Sequence, residues 1–441
     1  MPKKRKAPQF QAVNQKSHKR SHMIWAAIAL VVAAIAAATM VFWPKVHQTV
    51  VQTTAKTEQP VKLSVDAKSA LVVDLTTGQI LGEKNADKQV AIASQSKMLV
   101  AYGVLKAIDE KKIKWTDQVT IPSSADLSSQ NNSLYSHLSI KAGDKVSVKD
   151  LYWAMFTNSA NDAAFALVTY LSGDQSKDQA TLQALAKDLK LTGSEWYNGA
   201  GQKNGDAFAN EIDSASSSAY NHASASQVAM IARKIVDMDP SLLTLTNSAN
   251  LTYTKNNAKV TQASDFGSSF ANMQANLDNP KNLQLIGLKT GSTPESGASY
   301  TGIVKDQDGH LFLTVINGAA DYTDKTERFQ KTVDMVGQVL DDWQAHDYKA
   351  GTTLSGVSTL AIKDEKVRAK VQVAKLTTFW TKSKKTLKLM ESPTLQQRPA
   401  GTETDTIAHI AVNFKAKYLS GTSESQKEIP LELAGQPTDN E

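Results

Sequence analysis

The chain of 441 residues contains no cysteine. That excludes a disulfide framework, a thiolate metal site and a cysteine nucleophile. Aromatic residues are sparse at 7%, yet 41% of the chain is hydrophobic, which supplies at least one large core and rules out disorder throughout. Acidic residues are missing from positions 1–22, which hold seven basic ones: Lys3, Lys4, Arg5, Lys6, Lys16, Lys19 and Arg20. Without those seven, 42 basic side chains face 43 acidic ones, so the formal charge of +6 belongs to a short tail. A basic folded surface for nucleic acid is not indicated. The eight histidines include no His-Glu-x-x-His pair, and His18 and His22 fall in the tail, so neither a metal nor a cofactor is expected. No internal repeat of fixed period is present.

Long apolar runs are absent except for one, Met23 to Trp43, which carries no charge. As a helix it would measure about 31 Å, enough for a bilayer core of roughly 30 Å. The basic flank places residues 1–22 in the cytoplasm and everything after Pro44 outside. A cleaved signal peptide is the alternative, with Ala36 to Ala38 as small residues, although such peptides carry only about 7 to 15 apolar residues. Residues 44–62, rich in Thr and Gln, read as a spacer.

Residues 63–348 then read as a folded domain. Ala70 to Asp74 and Gln79 to Glu83 flank a Thr-Thr-Gly turn and predict a hairpin. From Ser94 a helix is expected with Met98, Tyr102, Leu105 and Ile108 on one stripe. Ser147 to Asp150 resembles a capping box, with a further helix after Asn161. Leu283 to Lys289, Ala298 to Lys305 and His310 to Asn317 predict strands, the last two joined at Asp308-Gly309. A long amphipathic helix carrying Phe329, Val333, Val336, Leu340 and Trp343 follows. Residues 351–430 alternate in β fashion and predict a small all-β domain, with an end from Gly421 that frays and a disordered tail over 431–441. The fold class is α/β (α+β): an antiparallel sheet flanked by helices with a helical subdomain, a small C-terminal all-β domain and an N-terminal transmembrane helix.

Three motifs occur in order: Ser94-Gln95-Ser96-Lys97, Ser159-Ala160-Asn161 and Lys289-Thr290-Gly291. Ser94 is the only serine with lysine three residues on, where chance gives about two in a chain this long. Lys97 falls one helical turn after Ser94, where a lysine base can reach a serine hydroxyl. Ser-x-Asn is less specific, since Ser129-Gln130-Asn131 and Ser248-Ala249-Asn250 also match. Ser159, however, falls at a corner between two helices, whereas Ser248 lies in a polar stretch from Thr244 to Asn257. Taken singly, Ser94 reads as a helix cap, Lys97 as a solvated lysine and Lys289 as an edge-strand lysine. Trp153 and Trp196 read as packing residues.

The three motifs, with the flanks AIASQSKMLVAYGVL, KAGDKVSVKDLYWAMFTNSANDAAFAL and LIGLKTGSTPESGASYTGIV, resemble the low-molecular-mass penicillin-binding proteins that are D-alanyl-D-alanine carboxypeptidases. The resemblance covers about residues 63 to 345. It implies a β-lactamase/transpeptidase-like fold and removal of the terminal D-alanine from peptidoglycan stem peptides through an acyl-enzyme, with covalent inhibition by β-lactams. It also implies the roles. Ser94 is the nucleophile, Lys97 its general base and Ser159 a proton relay. Asn161 binds the substrate backbone, Lys289 and Thr290 hold the terminal carboxylate, and Gly291 leaves room for it. The backbone N–H groups of Ser94 and Ser292 form the oxyanion hole.

The chain departs from that family at Ser96, where threonine is common, and in lacking an apolar stripe between Gln426 and Glu441 for a C-terminal membrane helix. A class A β-lactamase would need a glutamate for deacylation; Glu195 is the nearest candidate, one residue short of that family's spacing to Asn198. D,D-endopeptidase and transpeptidase activities share the acyl-enzyme, and a cell-wall-binding scaffold is the alternative of another class.

Overall fold

The computed structural model describes residues 57–132, 134–245, 248–264, 267–324, 326–382, 387–399 and 406–434. The expected basic tail, membrane anchor and most of the spacer lie outside these residues. Among the described residues no helix is long and apolar enough to cross a membrane.

A six-stranded sheet, ordered β1-β3-β2-β6-β5-β4, organises the larger part of the chain. Its strands are β1 (Val61–Lys62), β2 (Ser69–Asp74), β3 (Ile80–Lys84), β4 (Gln284–Thr293), β5 (Gly297–Lys305) and β6 (Leu311–Asn317). Neighbours run antiparallel except β1 and β3. Every residue of β2 is buried, because alternate side chains serve two cores. Leu71 and Val73 face the helices α1 (Lys97–Asp109) and α4 (Ala225–Met238). Ala70 and Val72 face Phe329, Val333, Val336 and Val339 of α5 (Glu327–Asp342). The strands expected at Ala298 and His310 form as expected. The one expected to stop at Lys289 continues to Thr293, which puts Lys289 inside the edge strand β4.

Three expectations about local structure change. Helix α1 is not amphipathic: Lys97 to Leu105 are all buried, because α3 (Asn161–Ser172), α4 and the helix Asp178–Asp188 surround it. Ser147 caps α2 (Val148–Thr157) by accepting the Asp150 N–H at 3.0 Å, but the Asp150 carboxylate accepts from Thr254 N instead of closing a box. The polar stretch after Thr244 contains a hairpin, Asn250–Lys255 with Ala258–Ala263, which buries Leu251 and Tyr253 and extends a small sheet with Gln118–Thr120 and Lys145–Ser147.

Beyond α5, β7 (Gln344–Tyr348) pairs with β10 (Thr377–Thr381). A four-stranded sheet follows in the order β8-β9-β12-β11, from Thr359–Ala361, Arg368–Val373, Glu428–Leu433 and Ala408–Ala411. The end expected to fray from Gly421 instead forms a strand over Glu428–Leu433, and residues 435–441 of the expected disordered tail lie outside the described residues. Strand β12 lies between β9 and β11, and Ile429 and Leu431 are fully buried in that domain's core. The flanking Glu428 and Glu432 made the segment look polar, which is the ordinary alternation of a strand. Trp380 of β10 ties this part to the main sheet: its indole donates to Asp74 at 3.0 Å and its backbone exchanges two hydrogen bonds with the Gln79 amide.

Candidate active site

Ser94 is carried by a short 3-10 turn, Ala93–Ser96, that runs into α1. Ala93 has φ +45°, a left-handed conformation that costs a non-glycine residue roughly 1–3 kcal/mol and needs surrounding structure to hold it. Two glycines supply that structure by close approach. A Cβ on Gly201 would lie 1.9 Å from the Ala93 carbonyl oxygen, and one on Gly291 would lie 2.8 Å from that of Ile92. Beside them, Gln95 Nε2 donates to Thr301 Oγ1 at 2.8 Å, and Ser96 Oγ accepts from Asn221 Nδ2 at 2.9 Å. Ser94 is left half-buried at the surface of this packing.

Lys97 is fully buried. Its Nζ lies 2.8 Å from Ser94 Oγ, 2.7 Å from Asn161 Oδ1 and 2.9 Å from the Ala200 carbonyl oxygen. The last two can only accept. A neutral amine has two N–H groups and one lone pair, so the lone pair faces the Ser94 hydroxyl, which alone of the three can donate. Burial drives the Lys97 pKa well below the ordinary lysine value, the positive charge of Lys289 adds to that, and Asp162 opposes it.

Ser159 occupies the corner between α2 and α3, with φ +51°. Asn158 Nδ2 donates to the Ala263 carbonyl at 2.7 Å and Ser264 Oγ to that of Thr157 at 3.0 Å, so the hairpin missed in the sequence braces this corner. Lys289, buried on β4, donates to Ser159 Oγ at 2.8 Å and to the Thr290 carbonyl at 3.0 Å. Two lysine–serine pairs therefore meet where the turn, the corner and the edge strand converge. Thr290 is half-buried and Ser292 exposed on the same strand. Gly291 differs from expectation: the space left by its missing side chain is filled by the Ile92-Ala93 turn, not left open to a ligand.

Several residues that build the site carried no motif. Asn198 Oδ1 accepts the N–H groups of Gly201 and Gln202 at 2.9 and 3.1 Å, and Asn221 binds the backbone of Tyr197 and Asn198, which sets the Ala200 carbonyl on Lys97. Asn198 falls in the segment singled out for Glu195. The Glu195 side chain is exposed and contacts Tyr197 at 3.2 Å and His222 at 3.6 Å. Arg328, buried in the first turn of α5, donates to Ser292 Oγ at 2.7 Å and to the Gly291 carbonyl at 3.2 Å. Trp196 is buried, with its indole donating to Ser194 Oγ. Asp306, Asp308 and His310 cluster as potential metal ligands at the β5–β6 hairpin, but the His310 ring is already shared by Asp306 and Asp347.

Residues 53–320 match the profile of the peptidase S11 family, described as D-alanyl-D-alanine carboxypeptidase, and the chain belongs to that family. Among its relatives is D-alanyl-D-alanine carboxypeptidase DacD of Salmonella typhimurium, 29% identical over 272 residues, 61% of this chain and 62% of that protein. DacC of Escherichia coli is 28% identical over 270 residues, 60% of this chain and 59% of that protein. The chain thus spans about three-fifths of the length of these relatives. Among solved structures, a peptidoglycan synthesis regulatory factor (PBP3) from Streptococcus pneumoniae has a TM-score of 0.67 at 22% identity, covering 84% of this chain and 98% of that one. Penicillin-binding protein 5 from Haemophilus influenzae has a TM-score of 0.57 at 20% identity, covering 85% and 98%. The fold is the mixed α/β fold of penicillin-binding proteins.

Proposed function

We propose that the chain is a serine-type D-alanyl-D-alanine carboxypeptidase that trims peptidoglycan stem pentapeptides through an acyl-enzyme on Ser94. The observation that carries this reading is the environment of Lys97: a fully buried amine with two acceptors and one serine hydroxyl. In this reading neutral Lys97 takes the Ser94 proton as Oγ bonds to the carbonyl carbon of the penultimate D-alanine. The N–H groups of Ser94 and Ser292 stabilise the oxyanion. As the C–N bond breaks, the proton passes from Lys97 through Ser159 Oγ to the leaving nitrogen, and D-alanine departs. Water, with Lys97 again as base, then cleaves the ester and restores Ser94.

Lys289 and Thr290 hold the terminal carboxylate, with Arg328 adding buried positive charge beside Ser292. The Asn161 amide nitrogen is the end of that side chain available to the substrate backbone, since its oxygen serves Lys97. A β-lactam offers the same acyl donor and acylates Ser94. The apolar run from Met23 to Trp43 supports an anchor that keeps the catalytic domain outside the cytoplasm, where peptidoglycan lies.

Intact-protein mass spectrometry with benzylpenicillin, followed by D-alanine release from a pentapeptide ending in D-Ala-D-Ala, tests this. One adduct, absent from Ser94→Ala, together with D-alanine release supports the reading. An adduct without release points to endopeptidase or transpeptidase work, and no adduct on folded protein leaves the scaffold alternative.

A further inference from the structure

The proposed mechanism uses Lys97, Ser159 and Asn161 but leaves idle a fully buried carboxylate next to them, Asp162. Its two oxygens are taken by backbone N–H groups from different segments. Oδ2 accepts from Leu138 at 2.9 Å, and Oδ1 accepts from Ala163 at 2.8 Å. A carboxylate satisfies both donors, whereas an amide satisfies one and points its NH2 at the other. Two residues before Leu138, the Ser136 carbonyl accepts the Asn161 N–H at 2.8 Å. Ser136 to Leu138 is thus fastened across the corner that carries Ser159 and Asn161.

His137, in the middle of that segment, is 9% exposed. Its Nδ1 faces the Leu138 carbonyl at 2.7 Å and its Nε2 faces the Gln130 carbonyl at 3.2 Å. Carbonyl oxygens only accept, so both contacts are hydrogen bonds when the ring carries two protons. That sets the imidazole one residue from the N–H that binds Asp162.

We infer that Asp162 is a positioning residue, supported by His137: the pair clamps Ser136 to Leu138 over the corner and so keeps Asn161 Oδ1 on Lys97 Nζ. The charged and titratable groups acting on Asp162 are His137 from the clamped segment and Lys97 from α1, while Tyr253 feels its charge from the hairpin and Lys289 faces Lys97 from β4. Burial pushes Asp162 up to about 7, against the Ala163 and Leu138 N–H groups and the positive charges of His137 and Lys97, which pull it down. Ionised Asp162 also favours the protonated form of Lys97, so its removal affects the base as well as the corner.

The inference rests on the acyl-enzyme reading, which fails separately if the unmutated protein forms no adduct. The test measures acylation of full-length protein by benzylpenicillin across pH 5 to 9 in Asp162→Asn, His137→Gln and the double variant. Each single variant is expected to lose at least about tenfold in plateau rate. In Asp162→Asn the acid limb moves to lower pH, because a base relieved of a neighbouring negative charge sheds its proton more readily. The double variant loses no more than the worse single one, as expected of residues acting as a unit. A smaller loss in cooperatively melting protein, an unmoved acid limb, or losses that multiply in the double variant overturns the inference. Should Asp162→Asn not fold, the tenfold criterion on His137→Gln alone decides.

Discussion

Lys289 Nζ donates to Ser159 Oγ at 2.8 Å, the same separation that divides Lys97 Nζ from Ser94 Oγ. The two amines are not equivalent. Lys97 is closed off from solvent and feels the charge of Lys289, so both its burial and its neighbour favour the neutral form that a base requires. Lys289 is buried as well, but it sits on the edge strand next to the half-buried Thr290 and near the exposed Ser292. In the proposed reading one lysine takes protons and the other holds an anion.

Acylation should therefore rise with pH until Lys97 is neutral and then level off, with the limb far below the ordinary lysine range. Lys289→Gln removes a positive charge that disfavours protonated Lys97, so the limb moves to higher pH whatever happens to the plateau. A limb that stays in place in that variant would show that Lys289 does not act on Lys97. Lys97→Arg, whose guanidinium keeps its proton, should acylate at least about 1,000-fold more slowly.

Gly201→Ala should cost far more than a surface substitution. The new Cβ would sit 1.9 Å from the Ala93 carbonyl oxygen, at a φ of +77° that side chains rarely adopt. Relieving the clash moves either Ala93, which precedes the nucleophile, or the Ala200 carbonyl on Lys97. We expect a stability loss of about 2–4 kcal/mol by denaturant melts and at least about tenfold slower acylation. Wild-type values for both would mean that the two turns are not in contact.

His310 should make stability depend on pH. Its burial alone would favour the neutral ring, but the hydrogen bond and charge of Asp306, joined by Asp347 of β7, raise it to about 9 from an ordinary 6.5. A raised histidine contributes fully below its unfolded value and loses that contribution as pH climbs through its folded value. Thermal stability should thus decline between about pH 6.5 and 9, and His310→Gln should flatten that decline. An identical pH profile in the variant would remove His310 from the account.

Leu431 is fully buried in strand β12, between β9 and β11. Leu431→Ala should destabilise the C-terminal part by about 2–5 kcal/mol, measured by chemical denaturation. Ending the chain at Gly421 should expose its core to protease, because β9 and β11 would lose the strand that joins them. If digestion of the truncated protein is no faster than of the whole, β12 does not hold that sheet together.

The residues proposed to react were legible because each belongs to a motif whose members lie within three residues of one another. Ser94 with Lys97 and Ser159 with Asn161 need only one helical turn or one corner to meet. The signal of short apolar runs between turns likewise disclosed β2, β5 and β6. It failed at β12, where two glutamates alternate with the core residues, and at Asn250 to Ala263, where threonines do the same.

Side-chain order along the chain by itself determined which groups are available: a serine hydroxyl with a lysine one turn on, a second lysine, and no thiol. What only the tertiary structure decided is the state in which those groups are held. Lys97 reads as a solvated helix lysine until α3, α4 and the Ala200 carbonyl close around it. Gly201 and Gly291 matter only because distant segments press their backbones onto Ala93 and Ile92. Asn221, Arg328 and Asp162 have no local signature, since a hydrogen bond across 24 to 125 residues leaves no spacing to read. Burial and desolvation are sums over neighbours in space, and those neighbours exist only once the chain has folded.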